Sequence, residues 1–87
     1  MIKIHGAVII EQGVTFAIVV VKPHVTQYTA RAVSFRNEIA PFFRNLPIIL
    51  MSQDRDGKPR YYGRKDIVDF LKTVKIEQIP WKTYHIY

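Results

Sequence analysis

Three histidines, seven acidic and thirteen basic residues are the groups from which this 87-residue chain could build chemistry. His5, His24 and His85 stand far apart, with no two at i, i+2 or i+4, so metal ligation would need the fold to gather them. Asp54 and Asp56 precede Gly57 as ordinary turn residues do. The later ligands and distal Glu of a calcium loop are missing. Asp66 and Asp69 sit three apart in an otherwise basic stretch, a spacing that balances charge along a helix. Ser34 and Ser52 have no base beside them and no Gly-x-Ser-x-Gly turn. Four glycines are spread too widely for a phosphate loop. The chain has no cysteine, which excludes disulfides and thiolate metal sites. The expectation is a non-catalytic protein with no metal and no cofactor. A pocket near His24 and Thr26 is the one place where an enzyme reading would start.

Two segments suit binding better. Arg55, Lys58, Arg60, Arg64 and Lys65 fall within eleven residues, with Tyr61 and Tyr62 between them. Such a patch attracts phosphates, and aromatic rings can stack on bases. Arg55, Lys58, Arg60, Tyr62, Arg64 and Lys65 are therefore the candidate anion or nucleic-acid site. Asp54, Asp56 and Asp66 dilute the field there, and Tyr61 reads as core, so a solvated edge is the competing interpretation. The second segment is the tail. Trp81, Tyr84, Ile86 and Tyr87 form a candidate protein interface, because aromatic residues are enriched at interfaces. Its competing reading is a strand packed in its own sheet. The formal charge of +6 favours acidic partners.

These groups must be held by elements legible in the apolar pattern. Ile2 to Ile10 and Val14 to Val21 are β-rich runs joined by Glu11-Gln12-Gly13, a hairpin signal. The second run is apolar on both faces, as a central strand covered on both sides would be. Lys3, His5 and Gly6 mark the first as less uniform, nearer an edge, with a bulge or kink at the glycine. Val25, Tyr28, Ala32, Phe35 and Ile39 form a helical stripe, with Thr26 as N-cap and Pro41 ending the helix. Phe42 and Phe43 should plug the core. Leu46 to Ser52 and Lys58 to Tyr62 are strands around the turn at Gly57, the second held at a sheet edge by Pro59. A second helix runs from about Arg64 to Val74, with apolar Ile67, Phe70, Leu71 and Val74. Trp81 to Tyr87 is a candidate last strand. The fold class is α/β: a small mixed β-sheet packed with two helices, in the order ββαββα plus that C-terminal strand, as a single domain over residues 1–87.

Leu46 to Leu71 has an ordered set of markers: Pro47 opening an apolar strand, a turn at Gly57, then Gly63 leading into the helix DIVDFL. The segment resembles the C-terminal half of thioredoxin-like domains and covers about a third of the chain. The resemblance implies a cis Leu46-Pro47 bond and partner docking near Pro47. The family's Cys-x-x-Cys pair is absent; the equivalent corner reads Lys22-Pro23-His24-Val25-Thr26. A thiolate is the nucleophile of that chemistry, so dithiol exchange is excluded.

The sequence shows no secretory signal pattern, and its longest apolar run, Phe16 to Val21, is too short for a bilayer. The expectation is a cytoplasmic protein without membrane contact. It would act through protein–protein contact, including self-association, with nucleic-acid binding through residues 55–65 as the alternative.

Overall fold

The computed structural model describes residues 2–11 and 13–86. Five strands form one sheet: β1 (Ile2–Glu11), β2 (Val14–Val20), β3 (Ile48–Gln53), β4 (Pro59–Tyr62) and β5 (Lys82–Ile86). Their spatial order is β4-β3-β2-β1-β5. β2 and β3 run parallel and every other pair is antiparallel, giving the mixed sheet expected. The crossover from β2 to β3 contains α1 (Pro23–Gln27), α2 (Thr29–Ile39) and a 3-10 turn over Ala40–Phe43. α3 (Lys65–Leu71) and a 3-10 turn over Ile76–Gln78 follow β4.

The alternation of side chains along each strand divides the core into two layers. Ile4, Ala17, Val19, Ile48, Leu50 and Ile86 pack with Ala32, Ile39 and Phe43 on the α2 face. Ala7, Phe16, Ile18, Ile49 and Met51 pack with Ile67, Leu71 and Ile79 on the α3 face. β2 lies at the centre, and its residues Phe16 to Val19 are all buried. That explains a strand apolar on both faces.

Local differences from the expectations have identifiable causes. β1 is an interior strand, because β5 pairs with its outer side from Ile2 to Gly6. Lys3 and His5 stay exposed on the α3 face, and His5 Nδ1 is 3.2 Å from the Thr83 hydroxyl of β5. Gly6 is where the pairing of β1 changes sides: the register with β5 ends at Gly6 and the register with β2 begins there. The glycine is there because a Cβ would strike the Ile18 carbonyl oxygen. The expected single helix is broken at Tyr28, which is extended (φ −121°, ψ 120°). Thr26 is not a cap. It lies inside α1 and donates its hydroxyl back to the Pro23 carbonyl, a bond that competes with helix continuation. The break turns Tyr28 outward, and Phe42 is likewise exposed, leaving Phe43 as the core plug. The Leu46–Pro47 bond is trans rather than cis. The Pro47 carbonyl accepts from the Ala17 amide at 2.9 Å, aligning β3 on β2 with the peptide in its favoured isomer.

Candidate functional site

The β3–β4 turn that carries the first half of the basic cluster is stiff. Asp54 Oδ1 accepts from the amides of Asp56 (3.0 Å) and Lys58 (2.9 Å). Gly57 takes φ +79°, a conformation open to glycine without cost. Asp54 and Asp56 are thus turn residues, as read. Arg55 and Arg60 flank a hollow on the α2 face, whereas Lys58 lines a shallow groove with Lys72 and Lys75.

Arg64 and Lys65 do not join them. They lie beyond the other end of β4, which at about 3.3 Å per residue separates them by a strand length of roughly 13 Å. Both are also engaged. The Arg64 guanidinium grips Asp66 with two bonds of 2.8 Å, and Lys65 Nζ meets Asp69 at 2.9 Å. The guanidinium hydrogen bonds hold Asp66 at about 2, below the ordinary carboxylate. Tyr62 is half-buried against the α2 layer, with the Arg36 guanidinium 5.8 Å from its ring centre, so its face is not a stacking platform. The structure therefore divides the predicted cluster into a free set, Arg55, Lys58 and Arg60, and a paired set. Lys72 and Lys75, which join Lys58 from the end of α3, were beyond sequence reasoning because their approach depends on how α3 folds back.

The tail pairs with β1 as a strand of its own sheet. Trp81 packs in the α3 layer and its indole N–H donates to the Ile76 carbonyl at 3.0 Å. Tyr84 meets Phe43 edge-on, with ring centres 5.3 Å apart, and Ile86 is buried. Tyr87 lies outside the described residues. Tyr84 also lines a surface hollow.

That hollow belongs to a surface the sequence did not reveal. β5 stops pairing at Gly6, while β1 continues to Glu11. Beyond Gly6, α2 no longer covers this face of the sheet. Val8 is 41% exposed, Ile10 72% and Phe42 54%. Val8, Phe42, Leu46 and Tyr84 line one hollow of about 380 Å³ with Arg44 on its rim. Lys82 shares the face by alternation, paired with Gly6. The usable signal was parity: Ile4, Gly6, Val8 and Ile10 share one face of a long strand, and the helical stripe had too few residues to cover all four.

His24 lines a depression with Arg31 and Glu38, separate from the one at Thr26, so the corner proposed for catalysis is divided. Among the described residues no three His, Asp or Glu side chains gather as a metal cluster would. No helix among them is long and apolar enough to cross a membrane. Compared with known proteins, the chain matches no family model, no curated protein and no solved structure at a significant level.

Proposed function

We propose that this is a non-catalytic cytoplasmic binding domain that acts through protein–protein contact, and that its first partner is a second copy of itself. The observation that carries the reading is the overhang of β1. An open strand edge is a template for pairing, and proteins blunt such edges with charge or proline. β4 is blunted by Pro59 and Arg60, and β5 carries Lys82 and His85. The overhang from Ala7 to Ile10 reads Ala-Val-Ile-Ile and has neither device.

A two-fold pairing of β1 with β1 centred near Ile9 would set Val8 opposite Ile10 of the second copy. No charged residue enters the middle of that ladder. The two sheets join into one, and the exposed Val8, Ile10 and Phe42 side chains of both copies leave water together. The patch is small, so the dimer is weak, with a dissociation constant on the order of 10–100 μM. Two chains of charge +6 repel each other, so added salt strengthens this dimer.

Sedimentation equilibrium over a concentration series tests the proposal. The weight-average mass should climb from 10.2 kDa toward twice that value, more steeply at high salt. Ile10→Asp should hold the protein at the monomer mass without loss of fold, since that side chain is already exposed. A mass that stays monomeric at millimolar protein and high salt would refute it. Binding to DNA or RNA that weakens steeply with salt would favour the alternative, now resting on Arg55, Lys58 and Arg60.

A further inference from the structure

The second hollow of interest lies at the opposite end of the parallel pair from the β1 overhang. It opens where β2 and β3 finish, has a volume of about 380 Å³, and is lined by Thr26, Ser52, Gln53, Arg55 and Arg60. That volume is within the range of small-molecule sites, roughly 300–1,000 Å³. In open α/β sheets ligands collect beyond the carboxyl ends of parallel strands, and this is such an end.

Its chemistry is specific. Ser52 is the one buried polar residue in the described core, at 1% exposure. Its Oγ lies 2.8 Å from Thr26 Oγ1. Because Thr26 gives its one proton to the Pro23 carbonyl, Ser52 is the donor in this pair, and the two hydroxyls form a closed, satisfied floor to the hollow. Arg60 is the cross-strand partner of Ser52, so a guanidinium stands beside the hydroxyl pair. Arg55 supplies a second from the turn. Neither arginine is in an ion pair among the described residues. The one carboxylate on the lining, Asp54, has an oxygen committed to the Asp56 and Lys58 amides. Two guanidiniums outside any ion pair at one hollow match a tetrahedral, doubly charged anion better than a cation or a neutral group. The Lys58, Lys72 and Lys75 groove lacks this contrast, because Asp56 and Glu77 line it too.

We infer that this hollow binds a small phosphate monoester, with Arg55 and Arg60 supplying the donors to the phosphate oxygens. The site is independent of the β1 overhang, so dimer formation and ligand binding can fail separately.

Amide NMR shifts of the whole chain, titrated with glycerol phosphate, test the inference. Expected are saturable shifts confined to Thr26, Ser52 to Arg55 and Arg60, with a dissociation constant on the order of 0.1–1 mM. Inorganic phosphate should produce the same shifts more weakly, and glycerol none. Arg60→Gln and, separately, Arg55→Gln should each weaken binding about tenfold, the loss of one charge-assisted contact. Lys72→Gln should leave it unchanged. Both arginines are exposed, and the spectrum itself reports whether each variant is folded. Four results would overturn the site: no shifts up to about 20 mM ligand; shifts shared with Lys58, Lys72 and Lys75; equal binding of inorganic phosphate; or tighter binding of a single-stranded oligonucleotide lacking a terminal phosphate.

Discussion

Tyr61 offers a clean test of the packing on the α3 face. Its ring lies against the Ile49, Met51, Ile67 and Leu71 layer. Its hydroxyl oxygen is enclosed and has no hydrogen-bond partner among the described residues. A buried hydroxyl stripped of water and left unpaired costs about 1–3 kcal/mol. Part of the residue reaches solvent, which places the cost at the low end. Tyr61→Phe keeps the ring and removes the orphan oxygen, so the variant should be more stable by about 1 kcal/mol. For a domain of this size that corresponds to a rise of roughly 4–8 °C in Tm. Urea unfolding followed by Trp81 fluorescence should show a higher midpoint and an unchanged slope. Burial also raises the Tyr61 pKa above its ordinary 10.0. The folded state then holds a proton that the unfolded state releases first, so this residue's contribution to stability is full below pH 10 and declines as pH climbs through the raised value. The Phe variant should lack that decline. A loss of about 1 kcal/mol or more on Tyr61→Phe would refute the reasoning, because it would mean that the hydroxyl makes a favourable bond.

Gly6→Ala should destabilise the domain by about 1–3 kcal/mol, the usual cost of overpacking, because its Cβ meets the rigid Ile18 carbonyl; chemical denaturation reads this directly. A carboxyl NMR titration should place the Asp66 midpoint near 2, and Arg64→Gln should return it toward 3.8. Because that pKa is depressed in the folded state, the pair's contribution is present above pH 3.8 and disappears as pH falls through about 2.

The parts of the fold that were readable from the sequence rest on local signals. Glu11-Gln12-Gly13 and Asp54 to Gly57 announced their hairpins, and Pro59 announced an edge. Phe16 to Val19 announced a central strand. What escaped depends on residues distant in sequence. Lys3 and His5 look like edge residues until β5 is laid beside β1. Arg64 and Arg60 are neighbours in the chain, yet opposite ends of a strand and an acidic partner separate their roles. Tyr28 fits a helical stripe perfectly well until the Thr26 hydroxyl diverts the helix. For the site, Arg55 and Arg60 were found within one cluster, but so was Lys58, which lines a different groove. The Ser52–Thr26 pair was not found, because it joins residues 26 positions apart that only the β2–β3 crossover brings together.

The pairing of the first strand with the last has a consequence for the chain's life outside the native state. The β1–β2 hairpin closes a short loop, but the β1–β5 ladder joins Ile2 to Ile86 and is entropically the costlier to close. Until β5 docks, during synthesis or after a protease trims it, the bare outer side of β1 doubles from five residues to ten. A newly made or clipped molecule would therefore be the aggregation-prone form, because a longer bare strand edge is open to uncontrolled growth.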